Sequence, residues 1–255
     1  MPSSYGEWAD PGADPAVACR WQQRVGATDP PSVKRVLPDG CADLIVTGDG
    51  AALVVGPATR VHLPQLSAPT TVRGIRLRTE AIRAAFGVPA SELQDRQVPL
   101  AALVDERLAE RLTDVAWTGA PLPQAWSALP LDGRVKAATR RLWREPTVDV
   151  AQVATAVNLS GRQLRRLLLA ETGLGPKTLQ RVGRLQRFLA LAEHRRLGTP
   201  AALAVLAADA GYADQAHLTR EARELAGLPP ARLLAERAGD TADRSPLKSD
   251  IEAII

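Results

Sequence analysis

Val150-Ala-Gln-Val-Ala154, Asn158-Leu159-Ser160 and Arg162-Gln-Leu164-Arg-Arg166 recur in degenerate form as Leu203-Ala-Val-Leu-Ala207, Gly211-Tyr212 and Asp214-Gln215-Ala-His-Leu218-Thr-Arg220. Each copy reads as a short helix, a tight turn and a second helix that opens on a capping residue. Ser160 and Asp214 suit that position, because their side-chain oxygens accept the orphan N–H groups of a first helical turn. The stretch between the copies, about Pro176 to Leu197, reads as one longer amphipathic helix. Proline suits its first turn, and Leu179, Val182, Leu185, Leu189 and Ala192 form its apolar stripe. From Asp132 to Glu236 the whole chain reads as helical.

The second helix of each copy has two unlike faces at about 100° per residue. In the first, Leu164 and Leu168 share one face with Leu167 at its edge, while Arg162, Arg165 and Arg166 point away. In the second, Leu218, Ala222 and Leu225 share a face, and Ala216, Thr219, Arg220 and Arg223 point outward with Gln215 at the margin. A helix that packs on one side and presents long cationic and amide side chains on the other is what reading a major groove requires. Arg can bind guanine O6 and N7 with two hydrogen bonds, and Gln can read adenine. Thr219 can meet a thymine methyl or a phosphate. A single such helix is as readily a solvated surface, but two with matching caps and turns favour the groove.

Charge divides the chain in the same way. The formal net charge of +4 conceals −3 over residues 1–132, +9 over 133–237 and −2 over 238–255. A basic half beside an acidic half points to a polyanionic partner for the basic half alone. With 45% hydrophobic and 24% charged residues, usage is that of an ordinary globular protein. No apolar run approaches the ~20 residues that span a bilayer, and residues 1–10 lack the basic start and apolar core of a signal peptide. The expected compartment is the cytoplasm, with no membrane partner. Two cysteines, Cys19 and Cys41, cannot build a disulfide framework and read as reduced thiols.

Residues 1–117 have a different texture. Ala16–Val25, Val33–Leu37, Leu44–Val46, Ala52–Val55 and Thr71–Leu77 read as short strands separated by turn signals such as Asp29-Pro30-Pro31 and Pro38-Asp39-Gly40. Gly48-Asp49-Gly50 reads as a hairpin. Glu80–Phe86, Ala90–Leu93 and Leu100–Leu112 then read as helical. The expected architecture is α+β: a mostly antiparallel N-terminal β domain with short helices, a breaker-rich linker over 118–131, an all-α unit over 132–237 with two helix-turn-helix units joined by a long helix, and a disordered tail over 238–255.

The motifs resemble the AraC/XylS family of bacterial transcription activators over about residues 133–236. The first unit's pattern is met by Ser160, Arg162, Leu164, Arg166 and Leu168, with leucine where phenylalanine is usual. Gly173-Leu-Gly175-Pro176 matches the entry to the linker helix. Ala207, Gly211-Tyr212, Asp214-Gln215-Ala-His217-Leu218, Arg220, Gly227 and Pro229 or Pro230 match the second unit, and Ala222 departs from a common phenylalanine. The resemblance implies that the linker helix holds both recognition helices against one DNA site. It implies a candidate contact set of Ser160, Arg162, Gln163, Arg165, Arg166, Arg184, Asp214, Gln215, Ala216, Thr219, Arg220 and Arg223. His217 falls at the edge of the packed face and reads as structural. RNA polymerase is the implied protein partner.

The first half is similar to a small regulatory domain found in a subset of that family, through Val36–Ile45, Val55-Gly56-Pro57, Gly74–Leu77 and Gly87–Leu93. A relation to cupin-like sensor barrels is left open, as are a small-molecule effector and a homodimer. Asp39, Cys41 and Asp43 alternate along a turn-to-strand segment, and Trp8, Trp21 and His62 are candidate lining residues. A turn at Asp39-Gly40, a core place for Cys41 and core places for the isolated aromatic side chains are the simpler readings. Cys19, Cys41 and His62 lack zinc-site spacing, and no nucleotide or hydrolase motif occurs. No cofactor, metal or enzyme activity is expected. The alternatives are a DNA-alkylation-response protein, for which two cysteines are too few, a cupin-like binding protein with an appended DNA-binding domain, and an interaction protein that has lost DNA binding.

Overall fold

The structure, a computed structural model, describes residues 3–30, 32–195 and 200–239. In the N-terminal half the strands are β1 (Ser4–Trp8), β2 (Val17–Val25), β3 (Ser32–Val33), β4 (Ala42–Thr47), β5 (Ala52–Val55), β6 (Gln65–Leu66), β7 (Thr70–Leu77) and β8 (Gln97–Pro99). Six of them form one sheet in the order β1-β2-β7-β4-β5-β8, and every neighbouring pair is antiparallel. β3 and β6 form a separate short ribbon. The helices here are α1 (Ile82–Phe86), α2 (Glu106–Thr118) and α3 (Gln124–Ser127), with single 3₁₀ turns at Thr79–Ala81, Ala90–Glu92 and Leu100–Ala102.

Because successive strand residues point to opposite faces, the sheet has two distinct sides. Ala42, Leu44, Val46, Val54, Ile75 and Leu77 point to one side and are buried with α1, α2 and Trp126 of α3 in a single core. The other side carries a smaller cluster of Cys19, Trp21 and Val72, with Tyr5, Ile45 and Leu66 against it. Trp21 pairs with Gly74 across β2 and β7. A Cβ on Gly74 would lie 2.2 Å from the Trp21 ring, so only glycine lets the indole lie flat there.

The C-terminal half is helical as expected: α4 (Gly133–Arg144), α5 (Val150–Ala156), α6 (Gly161–Thr172), α7 (Pro176–Arg195), α8 (Pro200–Asp209), α9 (Gln215–Ala226) and α10 (Pro230–Gly239). The two turns are built alike. Asn158 and Gly211 both take left-handed φ values, +56° and +89°. In each case the next N–H, of Leu159 or Tyr212, bonds a carbonyl five residues back, Ala154 or Ala207. The expected stripe of α7 is buried in full, and Phe188 and Leu191 are buried as well. A stripe of one face understates this helix because it is covered on several sides. Its first turns join the core of the first unit, and its later turns join the core of the second.

Several expectations need correcting. The strand expected at Val33–Leu37 is only Ser32–Val33, followed by a single bridge between Val36 and His62; proline on both sides limits its pairing. The helix expected from Leu100 starts at Glu106, where the Asp105 side chain accepts the Leu108 N–H at 3.0 Å and fixes the cap. β1 and β8, the sheet edges, were not anticipated. Within the segment 118–131, α3 buries Trp126, which meets Phe86 edge-on at 5.6 Å between ring centroids. Of the expected tail, residues 240–255 lie outside the described residues, and 238 and 239 close α10.

Trp126→Ala should therefore destabilise the N-terminal unit by about 3–5 kcal/mol, as removal of a large core aromatic does. Denaturant unfolding measures this. A change below about 0.5 kcal/mol, the size expected of a surface substitution, would contradict the placement.

Candidate nucleic-acid interface and the neighbouring cavity

The recognition helices α6 and α9 each start on the expected cap. The Ser160 hydroxyl accepts the Gln163 N–H, and Gln163 Oε1 accepts the Ser160 N–H at 2.8 Å, a reciprocal capping box. Asp214 Oδ1 accepts the His217 N–H at 2.6 Å. Leu164 and Leu168 of α6, and Leu218, Ala222 and Leu225 of α9, are buried. That leaves Arg162, Arg165 and Arg166 exposed on the first helix and Gln215, Ala216, Arg220 and Arg223 exposed on the second. Thr219 is half-buried, its hydroxyl donating to the Gln215 carbonyl at 2.8 Å. Gln163 is exposed, but its amide oxygen is engaged in the cap.

Arg184 sits elsewhere. Its Nη2 lies 2.7 Å from Glu221 Oε1, its Nη1 donates to the Pro146 carbonyl at 3.2 Å, and its guanidinium lies 5.5 Å from the Tyr212 ring centroid. Arg181 reaches the same Glu221 at 3.1 Å, and His217 Nε2 comes within 3.5 Å of it. Glu221 is nearly buried on the inner side of α9, at 6% exposed. It ties the second recognition helix to α7 through two guanidinium groups. The sequence pattern missed Glu221 and Arg181, since their partners lie about forty positions away and no local period links them. His217 also stacks edge-on against Tyr212 at 5.2 Å, which gives it the structural role its phase suggested.

The N-terminal unit touches both helix-turn-helix units. Arg83 pairs with Glu171, near the end of α6, at 2.6 Å. Arg35 pairs with Glu236 of α10 at 2.8 Å and donates to the carbonyl of Ala226, the last residue of α9, at 2.8 Å. Gln186 of α7 donates to the Pro38 carbonyl at 2.6 Å. Between the sheet's second face and α7 lies a cavity of about 1170 Å³. Its sheet side includes Trp21, Asp43, Ile45 and Arg76, and its α7 side Gln186, Leu189, Glu193 and His194. Of the residues singled out from sequence, Trp21, Asp39, Asp43 and His62 line it. Trp8 does not; it lies 41% exposed on edge strand β1.

The floor of the cavity is ionic. Arg76 Nε lies 3.1 Å from Asp43 Oδ1, and the Trp21 indole N–H donates to the same oxygen at 2.7 Å. Burial raises the Asp39 carboxyl above the usual carboxylate range, with Arg76 pulling the other way. Burial also pushes the Cys19 thiol up to about 12, again against Arg76, and lifts Cys41 well above its ordinary value, with Asp39 adding to the effect. Among the described residues, no group of three or more His, Cys, Asp and Glu side chains is arranged to hold a metal ion.

Two family models match the chain. Residues 10–99 match a domain of unknown function, DUF6597, and residues 153–236 match a helix-turn-helix domain. No curated protein matches. Among solved structures the chain is similar to ToxT from Vibrio cholerae, with 9% identity and a TM-score of 0.44 over 91% of this chain and 98% of that one. It is similar also to unsaturated fatty acid bound wild-type ToxT from strain SCE256, with 8% identity and a TM-score of 0.43 over 91% and 95% of the two chains. Likeness at this level transfers no site from one protein to the other.

Glu221→Ala removes the shared counter-charge of Arg181 and Arg184. It should lower the stability of the helical half by about 3 kcal/mol, the low end for a broken buried pair because Arg181 reaches solvent. Thermal and denaturant unfolding followed by circular dichroism measure the loss. An unchanged midpoint would show that the pair does not hold α9 to α7.

Proposed function

We propose that the chain, whose residues 10–99 match DUF6597 and whose residues 153–236 match a helix-turn-helix domain, is a sequence-specific transcription regulator of AraC type whose DNA grip is set by a small molecule in the cavity against α7. One observation carries this reading: two helices with matching caps and turns expose Arg162, Arg165 and Arg166 on one and Gln215, Ala216 and Arg220 on the other, while their apolar faces pack on a shared helix. Arginine and glutamine in these places supply both base readout and phosphate attraction. Ser160, Gln163 and Asp214 position the helix starts, Thr219 and Arg223 flank the readers, and Arg184 acts through Glu221.

The proposed organisation is a regulatory unit over 1–117, a connector over 118–131 and a DNA-binding unit over 132–237. A ligand between the sheet and α7 would touch the one helix that both helix-turn-helix units share, so differential binding would shift their arrangement. Contact with RNA polymerase and a homodimer belong to the same proposal, as does a cytoplasmic location, where the protein can meet DNA. No helix among the described residues is long and apolar enough to cross a membrane.

The alkyl-transfer alternative needs an activated thiolate. Burial at Cys19 works in the opposite direction, since a thiol with a pKa of about 12 stays protonated at neutral pH.

Arg165→Ala and Arg220→Ala should each weaken binding to a duplex selected from a random pool by about 1–3 kcal/mol if each makes a good base contact. Affinity for the selected duplex should fall steeply with salt, as several phosphate contacts release counterions. Fluorescence anisotropy reads both, and a footprint left unchanged by the two substitutions would reject the assignment. Iodoacetamide at pH 8 should leave Cys19 unmodified in the folded protein, because burial keeps its thiol protonated. Rapid labelling at Cys19, located by mass spectrometry, would revive the alternative.

A further inference from the structure

Both recognition helices end against the N-terminal unit, and they end there alike. α6 closes on Gly173 and α9 on Gly227, each left-handed, at φ +73° and +72°. A Cβ on Gly173 would lie 2.6 Å from Pro57 Cγ and 2.8 Å from the Ala90 carbonyl oxygen. A Cβ on Gly227 would lie 3.3 Å from Val61 Cγ1 and 3.4 Å from Arg35 Nη1. The matching caps of the internal repeat thus sit on one loop, at positions 57 and 61. Each helix end also receives a cation from the N-terminal unit: Arg83 at Glu171 of α6, and Arg35 at the Ala226 carbonyl and at Glu236. A cation suits the negative end of a helix. Arg35 is the firmer tie, because its side chain is 18% exposed against 46% for Arg83, and exposed pairs contribute little.

The loop is braced from within its own unit. The Asp95 carboxylate accepts the Thr59 N–H at 2.8 Å and the Thr59 hydroxyl at 2.6 Å, and the Asp95 N–H donates to the Pro57 carbonyl at 3.1 Å. Asp95 does this at φ +55°, a left-handed conformation that aspartate tolerates better than most residues. At the far end of the loop the Val36 and His62 backbones bond each other at 2.9 and 3.0 Å, joining the loop to the Arg35 segment. From position 57 to 61 the chain spans at most about 14 Å, so the two helix ends are held at a short, set separation. α7 runs through both helical cores and fixes where the units meet. The loop adds a second attachment, at the helix ends. Neither unit can tilt about α7 without parting Val61 from Gly227 or breaking the bonds of Arg35.

We propose that Pro57, Val61 and Arg35 are positioning residues that fix α9 relative to α6, so that the N-terminal unit sets the separation of the two DNA half-sites the chain accepts. This rests on the reading of α6 and α9 as DNA-reading helices and adds which residues govern their spacing. The three act on the helices and not on the bases. Arg35 and His62 also line the cavity, so a ligand there bears on the seat of α9 as well as on α7.

Affinity of the full chain for the selected duplex, with the spacer between its half-sites lengthened or shortened by one base pair, tests this. One base pair moves a half-site by about 3.4 Å along the axis and about 34° around it. The unsubstituted protein should lose at least about tenfold in affinity at either altered spacer. The double variant Arg35→Ala/Val61→Ala should lose less than about threefold, with base preferences inside each half-site unchanged. A merely structural role would lower affinity for all spacers alike. Asp95→Gly loosens the loop from a residue bonded within the N-terminal unit; it should act in the same direction, and it decides the matter if the double variant fails to fold. Equal spacer penalties with and without the substitutions overturn the proposal, as does broad spacer tolerance in the unsubstituted protein. Double electron–electron resonance between spin labels at Arg166→Cys and Arg223→Cys, in a Cys19→Ala/Cys41→Ala background without DNA, reads the restraint itself. One narrow distance should broaden with Arg35→Ala/Val61→Ala, and an unchanged width overturns the proposal whatever the DNA result. If the distance broadens yet no duplex is selected from a random pool, the DNA reading fails and takes the half-site claim with it, while the tie between the units stands.

Discussion

The burial of α7 is the constraint on which the rest of the molecule depends. A helix in a small domain ordinarily hides one stripe and shows the remainder to water. Here Leu179 enters the core of the first helix-turn-helix unit, while Leu185, Phe188, Leu189, Leu191 and Ala192 enter the core of the second. Neither unit could bury its apolar face without this helix. The spacing of the two recognition helices is thus a property of α7 and its packing, since close-packed interiors transmit shifts rather than absorb them. Glu221 adds an electrostatic tie, with two guanidinium groups from α7 converging on one carboxylate of α9.

The same helix forms one wall of the cavity, and this joins the two halves of the protein. Gln186 bonds the N-terminal unit, Leu189 faces both the cavity and the second helical core, and Arg35 reaches across to α9 and α10. The sheet's second face thus shares a cavity with the helix on which both α6 and α9 pack. The N-terminal sheet suits this arrangement, because its other face is fully committed to a hydrocarbon core with α1, α2 and Trp126. One side of the sheet closes a hydrocarbon core with the helices, and the other lines the cavity with aromatic, apolar and charged side chains.

What sequence revealed and what it hid follow from the range of the interactions. The caps at Ser160 and Asp214, the paired turns and the stripe of α7 are local, and their periods and residue types are readable within a dozen positions. The hairpin at Gly48–Gly50 is local in the same sense. The ionic floor is not: Glu7 of β1, the Asp39–Asp43 segment and Arg76 of β7 lie far apart in the chain and meet only once the sheet has formed. Arg184 entered the candidate contact set through the family resemblance alone, and its partner Glu221 lies 37 positions on, where no local period points to it. Trp126 was hidden among prolines whose breaker signal is real but says nothing about what the intervening turn buries. The edge strands β1 and β8 alternate in burial, but in β1 the charged Glu7 points inward while Trp8 is exposed, so the apolar pattern gives little notice of them.

The central claim is that one chain presents two recognition helices to one duplex. Hydroxyl-radical footprinting of the protein on a selected duplex, at a measured stoichiometry of one chain per site, tests it most directly. Two protected patches about one helical turn, roughly 10 base pairs, apart on the same face are predicted. A single patch under those conditions, or two patches that appear only when two chains are bound, would contradict it.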